Sequence, residues 1–201
     1  KQFTQINGEN LIYFFLKRID TGNFDKILIV HKYSHLKYIK NIKIDFPSVN
    51  FLFAKAGKNR QSSSFNALKK LSRFNPKNVL IHDAARPFCS NKLIIKILKQ
   101  LKKKYSSVPY IESPDKKIIS YKELNDTIKF IQTPQGFEFK TIFNSHKSSL
   151  IKNAKDDSCL ITKEKLNFIK GEKLNLKITY RDDLNYFKLF LKPIFKSGIG
   201  Y

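Results

Sequence analysis

Short apolar runs of strand length alternate along the chain with stretches whose apolar residues recur at helical spacing. The strand-like runs are bounded by polar or turn-forming residues and lie at 26–32, 50–55, 78–84 and 107–111. Such an alternation is typical of an α/β protein in which helices cover both faces of a mostly parallel sheet. The pattern therefore predicts a three-layer α/β fold with a Rossmann-like sheet.

Helical spacing is clearest between and after these strands. Phe65, Leu68 and Leu71 recur on one helical face, and Ser90 stands where it can cap a helix with an apolar stripe at Ile94 and beyond. We predict helices in both places. Further helical signals lie at 138–147, around 157–163 and beyond 182.

The alternation then breaks. Short strand-like pieces at 116–121 and 127–132 flank a polar connection at 122–126. We interpret them as a hairpin-like arm, at about 112–131, that leaves the main body. A last strand is predicted at 174–180, where apolar and polar residues alternate.

The composition adds a large positive charge. The chain holds 39 lysines and arginines against 16 acidic residues, a formal net charge of +23. A nucleic-acid-binding domain is one explanation, but the lysines are spread along the whole chain and are not clustered with aromatic residues. We favour a composition bias and do not expect nucleic acid as the main ligand. The positive field would still attract small anionic substrates such as phosphates.

Length and cysteine usage narrow the class of protein further. A chain of 201 residues, 41% of them hydrophobic, suits one globular domain with a real core. No apolar run reaches the length of a membrane span, and Cys89 and Cys159 form neither a disulfide framework nor a metal motif. We therefore expect a cytoplasmic protein. The chain starts without methionine and ends at KSGIGY, which we interpret as a segment of a longer protein.

A first candidate site follows the strand at 78–84, in the sequence HDAARP. Ligands of open parallel sheets bind beyond the carboxyl ends of the strands. Asp83 is suited there to hold a ribose hydroxyl or a metal on a triphosphate, and Arg86 to orient the loop or meet an anion. Ala84 is small enough for a flat base or sugar to approach. The plain alternative is a strand end with an exposed Asp–Arg pair.

Other positions also suit anions. Gly57 opens a turn that leads through Arg60 to Ser63 at a helix start, where N–H groups and hydroxyls suit an anion or a nucleobase edge. Ordinary serine capping explains the same pattern. Lys177 lies in the predicted last strand, either on its solvent face or directed at a phosphate. The histidines show no metal spacing, and we expect His146 at the surface.

Several of these segments occur in a particular order. HDAARP and QTPQGF are preceded by the turn with Gly57, Arg60 and Ser63 and followed by the NLKIT strand. Together they resemble the methylerythritol phosphate cytidylyltransferase family. The resemblance covers residues 1–192 and implies a nucleotide-diphospho-sugar transferase type of sheet with a protruding β-arm.

The ending carries a second resemblance. KSGIGY is similar to the opening of methylerythritol cyclodiphosphate synthase, which some bacteria fuse to the first enzyme. Residues 193–201 would then be a linker and the first residues of that second domain. Zn²⁺ or a similar divalent metal is expected only in that second domain.

The family resemblance implies transfer of CMP from CTP to 2-C-methyl-D-erythritol 4-phosphate, with release of pyrophosphate. Mg²⁺ is implied as well, since a bare triphosphate would repel an anionic nucleophile. A homodimer is implied in which the arm completes the partner's site. The implied site residues are Lys1 at the phosphates, Lys177 at the substrate, Gly57, Arg60 and Ser63 around the cytosine, Asp83 (also the metal ligand), Ala84 and Arg86 beside the sugar, and Ser113 and Asn125 at the substrate.

The sequence departs from the family pattern in the nucleotide loop and in the arm. The glycine-rich loop that precedes Lys1 in the family is missing, so we expect this segment to bind CTP poorly. Asn125 stands where the family has an arginine that holds the substrate phosphate, and Lys129 is a nearby candidate to replace it. Glu112 and Ser113 replace an Asp-Thr pair and keep its hydroxyl. The changes in the arm bear on substrate affinity.

Other functions stay open at this point. A ribitol phosphate cytidylyltransferase shares HDAARP-like and QTPQ-like segments, and fold analogy does not settle the substrate. The GIGY ending favours the methylerythritol pathway. A degenerate, non-catalytic dimerisation module would account for Asn125 and the missing loop.

Overall fold

The structure is a computed structural model that describes residues 5–6, 9–113, 117–119, 122–124, 128–180 and 182–185. Its α-helices are α1 (Leu11–Arg18), α2 (Leu36–Asp45), α3 (Arg60–Leu71), α4 (Asn91–Leu101) and α5 (Phe139–Ser148). Its strands are β1 (Gln5–Ile6), β2 (Glu9–Asn10), β3 (Ile27–His31), β4 (Phe51–Lys55), β5 (Asn78–Ile81), β6 (Ser106–Glu112), β7 (Lys117–Ile119), β8 (Lys122–Leu124), β9 (Lys129–Ile131), β10 (Gln135–Glu138) and β11 (Phe168–Lys170).

The predicted α/β class is confirmed, with a sheet in which most strands run the same way. Strand β10 is antiparallel to both β5 and β6, so β5 and β6 share one direction. Strand β11 is parallel to β6, and β3 is parallel to β4. The reversed strands β9 and β10 make the pairing mixed.

This topology gathers distant segments at one edge of the sheet. The carboxyl end of β5 meets the amino end of β10, because Ile81 pairs with Gln135 in antiparallel register. Strand β11 also ends at that edge, because it runs parallel to β6 and pairs Lys170 with Tyr110. The HDAARP loop, the QTPQ segment and the residues after β11 are therefore neighbours in space.

Helix α4 packs on β10 through the stripe that the sequence predicted. Ser90 caps the helix by accepting a hydrogen bond from the Leu93 N–H at 3.1 Å, and Ile94 and Ile97 are buried. Gly136 on β10 lets the helix approach closely. A Cβ atom added at Gly136 would lie 2.5 Å from Ile97 Cγ2 and 2.7 Å from Leu101 Cδ1.

We expect Gly136→Ala to destabilise the fold by about 1–3 kcal/mol, because the added methyl group overpacks this contact. Gly22→Ala is the matched control, since its added Cβ would meet only the Asp20 side chain, at 3.2 Å. Urea unfolding midpoints of the variants and the parent measure the difference. Equal midpoints for the Gly136 variant and the parent would contradict the close-packing interpretation.

The predicted last strand at 174–180 is wrong, because this segment is irregular. The segment runs beside the HDAARP loop, where the Ile178 N–H donates to the Ala85 carbonyl at 2.8 Å. The Leu176 N–H turns back to the Leu174 carbonyl at 2.8 Å. Because its neighbour is a loop, the segment has no strand there to pair with. The strand in this part of the chain is β11, which precedes the predicted position.

The arm also differs from its prediction. Strands β7 and β8 pair with each other, with Ile118 opposite Glu123, so the presumed connection at 122–126 holds a strand. The second predicted piece supplies β9, which pairs with β6 in the main sheet. Polar Lys-Glu-Leu gives no apolar alternation, so periodicity alone does not mark β8.

Helix content was only partly predicted. The helices at α3, α4 and α5 match their predictions, while α1 and α2 were not predicted. Around 157–163 the backbone forms short 3₁₀ turns, Ser158–Leu160 and Lys163–Lys165. None of the helices in the described part of the chain is long and apolar enough to cross a bilayer.

Candidate active site

The loop after β5 is fixed by hydrogen bonds to the QTPQ segment. The Asp83 backbone N–H donates to Thr133 Oγ1 at 3.0 Å, and Thr133 Oγ1 lies 3.2 Å from His82 Nδ1. His82 Nε2 lies 3.1 Å from the Arg86 carbonyl. Because a carbonyl only accepts, Nε2 carries the proton and Nδ1 accepts from the threonine hydroxyl. The neutral imidazole therefore holds the loop in place through hydrogen bonds at both ring nitrogens.

The surroundings of His82 favour that neutral form. Its ring stacks on Phe15 with ring centroids 4.4 Å apart. Burial lowers the pKa of His82 to about 4, against its ordinary value of 6.5. The unfolded chain therefore takes up a proton below pH 6.5 that the folded protein does not accept until about pH 4.

We expect a loss of stability at acid pH that depends on His82. The stabilising contribution is full above pH 6.5 and is lost as the pH falls towards 4. At pH 4.5 the expected loss is about 2–3 kcal/mol of the free energy of unfolding. Urea unfolding at pH 7.5 and 4.5 should show a loss that is smaller by this amount in His82→Gln. The same loss in both proteins would show that His82 titrates normally.

Buried amides connect the QTPQ segment to the residues after β11. Gln132 donates through Nε2 to the Glu172 carbonyl at 2.8 Å, and its Oε1 accepts from the Glu172 N–H at 3.1 Å. The Asn175 side chain donates to the Thr133 carbonyl at 2.8 Å. These contacts were not predicted from the sequence, because nothing local in QTPQGF shows where an amide side chain finds its partners.

Arg86 also connects the HDAARP loop to the segments around it. Its Nη1 donates to the Asn175 carbonyl at 2.7 Å and its Nη2 to the Ile131 carbonyl at 3.3 Å. The guanidinium thus ties the HDAARP loop to β9 and to the segment that carries Lys177. Of the sequence alternatives for Arg86, orientation of the loop is the one these contacts support.

The charged residues predicted for the site come together at Asp83. Lys177 Nζ lies 2.6 Å from Asp83 Oδ2, and Arg60 Nε lies 3.4 Å from Asp83 Oδ1. The Asp83 side chain is 18% exposed and that of Lys177 is 43% exposed, so the cluster opens towards solvent on the lysine side. Residues from three separate segments of the chain therefore form one charged site.

The pKa shifts follow from these contacts. Burial alone would raise the pKa of Asp83, but the charges of Arg60 and Lys177 outweigh it and lower that pKa. Burial likewise disfavours the charged form of Arg60, while Asp157 and Asp83 outweigh it and raise the Arg60 pKa. Both groups are ionised at neutral pH.

Behind Arg60 lies a buried pair that the sequence did not indicate. Arg60 Nη1 is 2.6 Å from Asp157 Oδ2, and His146 Nε2 is 2.9 Å from Asp157 Oδ1. The expectation of a surface position for His146 is wrong, since its side chain is 1% exposed. The helix turns this residue onto Phe65 of α3 and towards an aspartate that lies beyond the end of α5. Asp156 and Asp157 are adjacent in a chain that is poor in acidic residues, and this pair was the feature of the sequence that could have indicated the buried contact.

The turn before α3 is held by its own side chains. The Gly57 N–H donates to Ser63 Oγ at 3.0 Å, and that hydroxyl donates to the Asn59 carbonyl at 2.8 Å. Asn59 caps the helix by accepting from the Ser62 N–H at 2.8 Å. The cap of α3 is therefore Asn59 and not a serine, while the Ser63 hydroxyl bridges the turn that leads directly into Arg60.

Of the remaining predicted residues, some lie in the described part of the chain and some do not. Lys1 and Asn125 lie outside the described residues. Ser113 is half-buried and donates its backbone N–H to the Ile128 carbonyl at 3.3 Å. Lys129 pairs with Glu112 and stacks over Tyr110, so strand alternation puts it on the face opposite Ser113. That geometry disfavours Lys129 as the replacement for the missing arginine.

Comparison with known proteins shows the family of the chain. The family model for IspD, 2-C-methyl-D-erythritol 4-phosphate cytidylyltransferase, matches residues 1–192. The chain belongs to this family. The cytidylyltransferase of Clostridium beijerinckii, an IspD-type relative, is 32% identical over 96% of this chain and 91% of its own length.

A fused relative and solved structures extend the IspD comparison. The bifunctional enzyme IspD/IspF of Pelagibacter ubique is 35% identical over 100% of this chain and 54% of its own length. The chain thus spans about half the length of the bifunctional relatives it matches. The 4-diphosphocytidyl-2C-methyl-D-erythritol synthase of Anaerococcus prevotii superimposes with a TM-score of 0.84 at 28% identity, over 94% of this chain and 88% of its own. Bifunctional IspDF of Campylobacter jejuni gives 0.77 at 26% identity, over 92% and 48%.

Proposed function

We propose that the chain transfers CMP from CTP to 2-C-methyl-D-erythritol 4-phosphate and releases pyrophosphate. The observation that carries the proposal is the convergence of Lys177 and Arg60 on Asp83 at the carboxyl end of β5. Parallel sheets bind nucleotides at such an edge. Membership of the IspD family supplies the identity of the reaction.

The reaction needs position and charge more than covalent help from the protein. A phosphate oxygen of the methylerythritol phosphate attacks the α-phosphorus of CTP, and the bond from that phosphorus to the β-phosphate oxygen breaks. Pyrophosphate leaves with the bond's electron pair. Cations that hold the two anions together account for most of the acceleration in such transfers.

Lys177 is our candidate for the cation that holds the acceptor phosphate. Its side chain is 43% exposed and so can be reached by a substrate, while Asp83 fixes the position of its ammonium group. Lys1, outside the described residues, remains the proposed cation at the triphosphate. The nucleotide is proposed to lie along Gly57, Arg60 and Ser63 for the base and Ala84 and Arg86 for the sugar. The fixed turn before α3 and the braced loop after β5 support this assignment.

The family chemistry implies Mg²⁺ bound together with CTP, and Asp83 fits such an ion. Its carboxylate is a hard oxygen ligand, partly exposed, with a lowered pKa that keeps it charged. Mg²⁺ is usually held by one or two carboxylates together with substrate phosphates, so one aspartate is sufficient. When bound, the ion would neutralise charge on the triphosphate.

We further propose a homodimer through the arm and a cytoplasmic location. Among the described residues, β7 and β8 pair with each other and with no strand of the main sheet. A lone two-stranded hairpin is marginally stable in water, so a second subunit is a reasonable cover for it. Both cysteines are free, as a reducing compartment favours. Light scattering of the protein with and without the arm measures the subunit number.

Product analysis tests the proposed substrate. Full-length protein is incubated with CTP, Mg²⁺ and either 2-C-methyl-D-erythritol 4-phosphate or ribitol 5-phosphate, and the products are identified by mass spectrometry. We expect the cytidine diphosphate ester of methylerythritol and little of the ribitol ester. A predominant ribitol product would contradict the proposed substrate while leaving the cytidylyl transfer in place.

A further inference from the structure

Arg60 reaches the site from a buried network that the proposed mechanism does not use. Asp157 and His146 each have side chains that are 1% exposed, and Asp157 Oδ1 lies 2.9 Å from His146 Nε2. The other oxygen of Asp157 lies 2.6 Å from Arg60 Nη1. Arg60 Nε then faces Asp83 at 3.4 Å. The contacts run without interruption from the interior to the charged site.

A buried carboxylate of this kind needs a partner for each oxygen. Burying a charge is costly unless it is paired and hydrogen-bonded. Arg60 forms an ion pair with one oxygen of Asp157, and the imidazole of His146 is hydrogen-bonded to the other. A carboxylate only accepts, so His146 Nε2 carries the proton and donates.

The imidazole is itself held in place. Its ring stacks on Phe65, with centroids 5.7 Å apart and an angle of 8° between the planes. Phe65 belongs to α3, the helix that begins with Arg60. His146 Nδ1 is buried without a hydrogen-bond partner among the described residues, which suits a nitrogen that carries no proton. The ring therefore has one defined orientation, aimed at Asp157.

We propose that His146 is a positioning residue for nucleotide binding. It holds Asp157 in the orientation that fixes Arg60 towards the site, and it touches neither substrate. This inference rests on the proposed function, because it takes Arg60 to contact the cytidine nucleotide. His146 acts on the affinity for CTP, whereas transfer from bound CTP depends on Lys177 at the other end of the cluster.

Removing the donor should therefore separate binding from turnover. In His146→Leu, Asp157 Oδ1 loses its partner and Arg60 loses its fixed anchor. The KM for CTP should rise about tenfold, with kcat within about twofold of the parent, because an interaction made equally in the bound and transition states is lost. His146→Gln can donate an N–H to Asp157 and should stay within about threefold of the parent in KM.

The experiment measures kcat, KM for CTP, the dissociation constant of CTP and the melting temperature in full-length protein. The variants are His146→Leu and His146→Gln, with Ser145→Ala as control on the same helix. Ser145 donates to the Thr141 carbonyl at 2.9 Å and does not bond to Asp157, so its variant should match the parent. A Leu variant with parental KM, or Leu and Gln variants with the same raised KM, would overturn the proposal.

A failure of the proposed function gives a different result. If the parent neither binds CTP nor releases pyrophosphate, the reaction itself is wrong; a working parent with an unaffected Leu variant refutes only the role of His146. Should the Leu variant fail to fold, the Gln variant decides. It must keep a KM for CTP within about threefold of the parent, and a rise of about tenfold at a parental melting temperature refutes the proposal.

Discussion

Lys177→Ala is expected to lower kcat/KM for methylerythritol phosphate by at least about 100-fold while the fold stays intact. Loss of a preorganised charge at the reacting phosphates typically costs 10²–10³ in rate, on the order of the oxyanion-hole effects. The same change costs little stability, because the side chain is 43% exposed and its ion pair with Asp83 is partly solvated. Activity and stability therefore respond differently to this substitution.

Lys173→Ala is the matched control for this prediction. Lys173 is an exposed lysine of the same irregular segment, four positions before Lys177. Pyrophosphate release under substrate-limited conditions measures kcat/KM, and the melting temperature reports the fold. If the two alanine variants lose activity equally, the overall positive charge matters and the position of Lys177 does not.

The second large effect is expected for Asp83→Asn, which should lower kcat by about 100-fold or more. The carboxamide keeps the shape and one acceptor, but it removes the charge that holds Lys177 at 2.6 Å and faces Arg60 at 3.4 Å. It also replaces the charged oxygen ligand that we propose for Mg²⁺ with a neutral and weaker one. Asp45→Asn, at the exposed end of α2, is the control for loss of one negative charge and should retain full activity.

The Mg²⁺ dependence of the Asp83 variant separates these contributions. If Asp83 binds the metal, a higher Mg²⁺ concentration should restore part of the lost rate. If it only positions Lys177, added Mg²⁺ should have no effect. Full activity of Asp83→Asn at ordinary Mg²⁺ would contradict both roles.

The sequence predicted the parts of the site that depend on order along the chain. Asp83 was identified because it follows a strand-like apolar run, and strand ends are where α/β sheets bind ligands. Ser90 was identified as a helix cap because capping is a local interaction, and the structure confirms it. Lys177 was ambiguous from its own pattern, and only the family resemblance directed it to a phosphate.

Contacts between distant segments could not be predicted from local sequence patterns. The alternation at 174–180 predicted a strand, yet Asn175 there is fully buried because its amide bonds to Thr133. His146 looked like a surface histidine because its partner Asp157, and the Arg60 that pairs with Asp157, come from other segments of the chain. Periodicity reports which face of an element is apolar. It does not report which buried polar group finds a partner across the fold.

Pyrophosphate release by full-length protein from CTP and Mg²⁺, with and without 2-C-methyl-D-erythritol 4-phosphate, tests the central claim most directly. In the structure Lys177, our proposed cation for the acceptor phosphate, lies with its Nζ 2.6 Å from Oδ2 of Asp83, our proposed carboxylate for the nucleotide. We therefore predict release that requires the acceptor. Folded protein that releases no pyrophosphate, or releases it at the same rate without the acceptor, would contradict the proposal that this cluster joins the two substrates.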